Sequence, residues 1–99
     1  MAEVAGSNPA APILITLAVA AAYQVMHEMV VIKTDTKAGD LPTNSAGEAS
    51  EDGSIGEVAD LAAGQSKSLT LDMKPGHYAL ICNLPGHYAA GMYADFTVK

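Results

Sequence analysis

The clearest pattern in the sequence is an alternation of apolar and polar residues in its second half. Residues 66–73 alternate with a period of two, which is typical of a half-buried strand. A turn at 74–76 contains proline and glycine, and the strand after it places three residues on one face: Tyr78, Leu80 and Cys82. A last strand places four residues on its inner face: Met92, Ala94, Phe96 and Val98. Cys82 and Met92 are therefore both predicted to point toward the core.

Two strands are predicted in the first half. Residues 26–33 end in β-branched residues before a polar break, and His27 stands at the entrance of this strand. The apolar run 12–22 has three interpretations. A signal-peptide core would need positive charge ahead of it, but Glu3 is there and no base precedes Lys33. A membrane helix needs about 20 apolar residues. The β-branched residues favour the third interpretation, a buried strand over residues 13–19.

Short alternating strands separated by turns, without a helical period, predict an all-β sandwich. Ninety-nine residues suffice for one domain. Residues 1–11 show no period and are predicted to be a disordered lead-in, so the folded domain is expected at 12–99.

Residues 35–56 form a long polar segment that is rich in glycine. Six acids and no base lie between Lys37 and Lys67: Asp40, Glu48, Glu51, Asp52, Glu57 and Asp60. Long loops in compact domains are commonly functional or mobile. Calcium binding stays open, although the acids lack the EF-hand spacing. We interpret the segment as a solvated acidic loop.

Overall charge excludes some classes of partner. Five lysines, no arginine and eleven carboxylates give a net charge of −6, whereas nucleic-acid binding requires a basic surface. The single cysteine excludes an internal disulfide, so its thiol is buried, reactive or bound to a metal.

The stretch from Cys82 to Met92 carries the candidate chemistry. Cys82, His87 and Met92 have the spacing Cys-x4-His-x4-Met, with Pro85-Gly86 and Gly91 bending the chain between them. Thiolate, imidazole and thioether select copper over hard cations, and two histidines, a cysteine and a weak axial methionine form a blue-copper site. His27 is the best candidate for the second histidine. Methionine is a poor zinc ligand, which favours copper over zinc.

Two other interpretations compete with a copper site. Isolated cysteines and methionines usually serve core packing, but three soft donors within eleven residues are hard to explain that way. A catalytic Cys82–His87 pair would need a third group to orient the base, and the sequence shows no candidate. We therefore do not predict an enzyme.

These residues resemble the cupredoxins, the type I blue-copper proteins. The closest likeness is to small bacterial and archaeal plastocyanin-like or sulfocyanin-like members with the Cys-x4-His-x4-Met loop. The resemblance covers roughly residues 13 to 99 and is carried by the 82–92 loop and three further motifs: His-Glu-Met-Val-Val (27–31), Leu-Ala-Ala-Gly-Gln-Ser (61–66) and Lys-Pro-Gly-His-Tyr (74–78).

The resemblance implies a Greek-key sandwich with four copper ligands at one end, namely His27, Cys82, His87 and Met92. It implies one type I copper and a one-electron carrier. A module for copper delivery or storage, or a domain of a larger copper enzyme, remains the alternative. His27 is expected to come from the other sheet, His87 to face solvent, and apolar loop residues to form a docking patch. His77, on the opposite face from Cys82, is expected to be structural.

Partners and location follow from the same likeness. We expect a redox protein, such as a basic c-type cytochrome or a membrane oxidase, no nucleic acid, and a periplasmic or extracytoplasmic location without a membrane-spanning segment. The family's usual first strand is missing or reduced to residues 2–11 here. An unpaired sheet edge is a template for association, so a weak homodimer is also an expectation.

Overall fold

The computed structural model describes residues 13–20 and 26–99, and these residues form six β-strands in two antiparallel sheets. Strand β1 (Leu14–Ala20) pairs with β4 (Ser66–Asp72) in a two-stranded sheet. The second sheet has four strands in the order β3 (Ser54–Leu61), β2 (His27–Lys33), β5 (Gly76–Ile81) and β6 (Tyr93–Val98). The lead-in predicted at 1–11 and the apolar residues 21 and 22 lie outside the described residues.

The predicted all-β sandwich is confirmed. The strand expected at 13–19 is β1, and those expected at 26–33 and 66–73 are β2 and β4. The expectation that the first of these is a buried strand is wrong: only one of its faces packs on the core, and Leu14 on the other face is 64% exposed. Strand β3 is not predicted by the sequence pattern, since its first residues read as the end of the polar segment. Its pairing with β2 and the burial of Val58 and Leu61 supply what the local pattern lacks.

One hydrophobic core lies between the two sheets. Val31, Tyr78 and Val98 of the larger sheet and Met73, just after β4, are almost completely buried there. The smaller sheet and its neighbours contribute partly buried side chains: Ile13, Ile15, Leu17, Leu69 and Leu71. This removal of apolar surface from water holds the two sheets together.

A second apolar cluster lies on the outer face of the larger sheet. Residues 34–53, called here the β2–β3 connection, cross this face, and the buried cluster contains four sheet residues and four that cover them: Val30, Ile32, Ala79 and Ile81, with Ala38, Leu41, Ala49 and Tyr88. The interpretation of this segment as simply a solvated acidic loop is therefore wrong. Apolar residues of the connection make the contact, whereas Asp40, Glu51 and Asp52 are exposed.

His77 ties the β2–β3 connection to the edge of the sheet. Its Nδ1 lies 2.6 Å from the carbonyl oxygen of Thr34, and its Nε2 lies 2.7 Å from Oδ1 of Asp95. The same Oδ1 accepts a hydrogen bond from the amide of Ala38. The hydrogen bond to the Thr34 carbonyl and then the Asp95 carboxylate raise the pKa of His77. Because both partners are acceptors, the imidazolium form satisfies both. His77 thus has the structural role expected of it.

Candidate metal centre

The first two candidate ligands stand on neighbouring strands. Strand β2 pairs antiparallel with β5, with Val30 opposite Ile81, so His27 and Cys82 lie at the same end of one sheet. The expectation that His27 comes from the other sheet is wrong. Both β2 and β5 are central strands, and their backbone hydrogen bonds determine the separation of His27 and Cys82.

The third candidate, His87, lies on the loop that leaves Cys82 and returns to β6. The amide of Cys82 donates to the carbonyl of Met92 (2.9 Å), and the amide of Met92 donates to the carbonyl of His87 (3.2 Å), which closes the loop. Gly86 and Gly91 have φ values of 81° and 98°. Glycine adopts this left-handed backbone without steric cost, which accounts for both glycines in the motif.

The three side chains converge. Sγ of Cys82 lies 3.3 Å from Nδ1 of His87 and 3.8 Å from Nδ1 of His27. One ligand atom from each of the three residues lies within 4.8 Å of the other two. The imidazole rings of the two histidines have centroids 5.2 Å apart and are tilted by 58°.

This geometry fits a first-row metal ion. Bonds of about 2.0–2.3 Å to imidazole nitrogen and thiolate sulfur, spaced near 120°, separate the donor atoms by roughly 3.5–3.8 Å. The two sulfur–nitrogen distances of 3.3 and 3.8 Å bracket that range closely. Two imidazoles and one thiolate suit copper, so the residues present fit a type I ion without rearrangement of the sheet.

The surroundings of Cys82 exclude water from its sulfur and place one hydrogen-bond donor beside it. The residue is 5% exposed, and the backbone amide of Glu28 points at its Sγ from 3.5 Å. An amide donor stabilises a negative sulfur. Burial raises the pKa of the Glu28 carboxyl, and the nearby charges of Glu51 and Glu57 raise it further.

Met92 does not have the burial predicted for it. The residue is 38% exposed, and Ala94 two positions later is exposed as well. Strand β6 is an edge strand that starts only at Tyr93, so its alternation produces full burial only toward its far end, at Val98. The placement of Met92 on the core side is wrong. Its backbone nevertheless lies beside Cys82 through their hydrogen bond.

Two contacts of the site lie beyond what the sequence pattern indicates. Tyr88, next to His87, is 5% exposed and packs under the β2–β3 connection. Asn83, next to Cys82, is buried as well. Their partners lie 32 to 50 residues away in the chain, so no local signal could identify them.

Comparison with known proteins agrees with the donor set. The family model described as copper binding proteins, plastocyanin/azurin family, matches residues 15–99. The chain belongs to this plastocyanin/azurin family. Among the curated proteins, no sequence matches this cupredoxin significantly.

Solved cupredoxin structures resemble this family member along most of its length. Auracyanin B is 28% identical, with 90% of this chain and 73% of that chain covered and a TM-score of 0.67. Dithionite-reduced auracyanin from Roseiflexus castenholzii is 24% identical, with 89% and 78% covered and a TM-score of 0.68. Rusticyanin from Thiobacillus ferrooxidans is 18% identical, with 87% and 54% covered and a TM-score of 0.61. The latter two likenesses concern the fold alone.

The family and the site geometry together define the function in outline. The protein is a blue-copper electron-transfer protein with one type I copper, and a redox protein is its general class of partner. Members of the family are electron carriers and are generally not enzymes. Within the parts of the chain that are described, no helix has the length and apolar character needed to cross a membrane.

Proposed function

We propose that His27, Cys82, His87 and Met92 hold one copper ion and that the protein works as a one-electron carrier, not as an enzyme. The convergence of the thiolate and two imidazoles within 4.8 Å is the observation that carries this proposal. Copper, when bound, supplies the one-electron change between Cu(II) and Cu(I). Met92 would supply a further, weak donor, because its backbone is bonded to that of Cys82 and its thioether suits copper.

The chain's own residues reduce the reorganisation that a change of oxidation state requires. His27 and Cys82 stand on adjacent hydrogen-bonded strands, so neither donor moves without distortion of the sheet. Cys82 is buried, which keeps water away from the sulfur. A site held in one compromise geometry needs little reorganisation when the oxidation state changes.

Electrons are proposed to pass through the edge of the site that carries His87. This residue is partly exposed, and three small apolar neighbours on its loop are exposed: Pro85, Ala89 and Ala90. Together with Leu84 and Met92 they form the proposed docking patch. Carriers of this kind meet their partners through small, short-lived interfaces.

The charge of the protein favours a basic partner, such as a c-type cytochrome or an exposed region of a membrane oxidase. Glu51, Glu57 and Asp60 lie near enough to Glu28 to raise its pKa, so part of the acidic segment flanks the strand end that carries His27. A field of one sign steers an oppositely charged partner.

Two observations weigh against the alternatives. A protein for copper delivery or storage would be expected to expose its ligands, whereas Cys82 is 5% exposed. A cysteine nucleophile needs its base oriented by a third group, and within the described residues no side chain hydrogen-bonds to His87 other than Cys82. A domain of a larger copper enzyme would share this same site.

The cellular location of the protein and its self-association are further parts of the proposal. Members of the family typically work outside the cytoplasm, and we propose a periplasmic or other extracytoplasmic location. We also propose weak self-association through an edge of the two-stranded sheet that pairs with no other strand among the described residues, to be tested by sedimentation across protein concentration.

Copper titration tests the ligand set. One equivalent of Cu(II) is expected to produce an intense blue or green band, because the Cys82 thiolate transfers charge to copper. The variant Cys82→Ser should lose this band completely. Survival of the band in that variant would contradict the assignment.

Ionic strength tests the proposed partner. Electron-transfer rates with a cationic reagent should rise roughly 10–1000-fold toward low salt, and rates with an anionic reagent should fall. Replacing Glu48, Glu51 and Asp52 by their amides should flatten the salt dependence. A flat rate in the unaltered protein would mean that these acids serve solubility only.

A further inference from the structure

Cys82 and His87 are the two candidate ligands whose donor atoms lie closest together. Each is followed in the chain by a buried residue whose side chain points away from the metal site. Asn83 follows Cys82, and Tyr88 follows His87. Both side chains reach the β2–β3 connection and bond to its backbone. The loop that carries His87 is therefore attached to a distant segment at two points.

Tyr88 attaches the loop to the backbone around the 3-10 turn of the connection, Ala38–Asp40. Its hydroxyl donates a hydrogen bond to the carbonyl of Ala38 and accepts one from the amide of Leu41 at 3.0 Å. Its ring lies 5.2 Å from that of Tyr93. A phenol that both donates and accepts satisfies two buried backbone groups at once.

Asn83 makes the matching attachment farther along the connection. Its Oδ1 accepts from the amide of Ala49 at 2.8 Å, and its Nδ2 donates to the carbonyl of Ala49 at 2.9 Å. The same nitrogen donates to Glu51 at 2.8 Å. Asn83 therefore pairs with Ala49 in the way that a neighbouring strand would.

The β2–β3 connection is itself fixed to the sheet. Ala38, Leu41 and Ala49 are buried in the outer apolar cluster. The amide of Ala38 donates to Asp95 on β6 at 2.8 Å. The backbone to which Tyr88 and Asn83 bond therefore belongs to residues that are themselves packed against the sheet.

We propose that the β2–β3 connection positions the metal-binding loop, with Tyr88 and Asn83 as the positioning residues. Tyr88 acts on the metal through the backbone of His87, and Asn83 acts through that of Cys82. The proposal rests on the ligand set proposed above. It gives the long acidic segment a role in the site that its charge alone does not suggest.

The variant Tyr88→Phe tests the proposal, because it keeps the buried ring and removes both hydrogen bonds. In the metal-free protein, amide hydrogen exchange at Ala90, Gly91 and Met92 should quicken on the order of tenfold, as the loss of a buried hydrogen bond implies. In the loaded protein, copper should dissociate faster by a similar factor, and the visible band should shift.

Tyr78→Phe is the matched control. Tyr78 is 1% exposed and donates one hydrogen bond, to the carbonyl of Lys74 at 2.6 Å, in the core between the sheets. It should lose stability in the same way without any change in loop exchange, copper dissociation or spectrum. If Tyr88→Phe behaves like Tyr78→Phe in these three measurements, the positioning role is wrong.

A second measurement needs no variant. If the β2–β3 connection holds the loop, copper binding must in turn stabilise the connection, because energetic coupling between two sites is reciprocal. The amides of Leu41 and Ala49 should therefore exchange more slowly in the copper form. The amides of Ala46 and Glu48, which bond only to Asn44 at the tip, should not change.

Equal exchange at Leu41 and Ala49 with and without copper would overturn the inference. A failure of the unaltered protein to form the blue band would instead contradict the ligand set. In that case the exchange of metal-free Tyr88→Phe would still decide whether the connection positions the loop.

Discussion

The proposed metal centre has a strand half and a loop half, and they are held by different means. His27 and Cys82, the strand half, are located by the antiparallel pairing of β2 and β5. His87 and Met92, the loop half, lie on a segment whose position depends on turns, on the backbone bonds to Cys82 and on side-chain bonds to the β2–β3 connection.

The difference shows in exposure. Cys82 is 5% exposed, whereas Met92 is 38% exposed; His27 and His87 are both partly buried. The register-bound half, with its buried sulfur, excludes water and resists motion. The exposed Met92 of the loop half leaves a partner access to the site. The proposed site thus combines a rigid support with the edge proposed for electron transfer.

The largest expected effect is on the free energy of unfolding, and it comes from a substitution in the packing of the strand half. Ile32 on β2 is fully buried in the outer cluster, so Ile32→Ala should lower the free energy of unfolding by about 2–5 kcal/mol. The blue band of the folded protein should keep its wavelength, since backbone register and not this side chain locates His27. Denaturant unfolding and visible spectroscopy measure the two quantities.

The control for this substitution is Ile55→Ala, on β3. Ile55 is 38% exposed, and its loss should change the free energy of unfolding by no more than about 0.5 kcal/mol. A shifted band in Ile32→Ala would mean that side-chain packing, and not strand pairing alone, determines the geometry of the strand half.

A smaller effect is expected in the loop half. Met92→Leu should leave copper bound but raise the reduction potential, because even a weak axial donor favours Cu(II) over Cu(I). Voltammetry of the two proteins measures the change. Met73→Leu, at a fully buried methionine in the inter-sheet core, is the control and should keep the potential. An unchanged potential in Met92→Leu would remove Met92 from the ligand set.

The smallest expected effect is on the pH dependence of stability. It concerns His77 and Asp95, which hold the β2–β3 connection to the sheet. The Thr34 carbonyl and then Asp95 raise the folded-state pKa of His77 above its unfolded value near 6.5. The stability this adds is fully present below pH 6.5 and is lost as pH rises through the higher folded-state pKa.

Denaturant unfolding of metal-free protein across that range measures this loss. The variant His77→Gln should show a weaker decline above pH 6.5 than the unaltered protein. Asp95 affects stability only at acidic pH. The amide of Ala38 and then His77 lower its pKa, so the stability that Asp95 contributes is lost only as pH falls below about 3.8. Identical pH profiles of stability for the two proteins would show that protonated His77 does not hold the β2–β3 connection.

Several elements were predictable because their signals are local. The alternation at 66–73 predicts β4, and the β-branched residues at 30–32 predict a strand at β2. Cys82, His87 and Met92 are identified by donor chemistry and by glycines that the loop backbone requires. The convergence of His27, Cys82 and His87 agrees with that assignment.

Other features were not predictable because they depend on pairing between distant segments. The sheet to which His27 belongs follows from the pairing of β2 with β5. The exposure of Met92 follows from its place on the loop before β6, and the burial of Ala38, Leu41 and Ala49 follows from the sheet face beneath them.

By itself, the sequence determined the kinds of donor atom, their spacing in the loop and the all-β class, because these depend on residue chemistry and local periodicity. The tertiary structure alone decided which strands are neighbours, that Cys82 is buried while Met92 is exposed, and that Tyr88 and Asn83 bond to the β2–β3 connection. The reason is physical: hydrogen bonds and packing between residues 32 to 50 positions apart leave no trace in a local pattern.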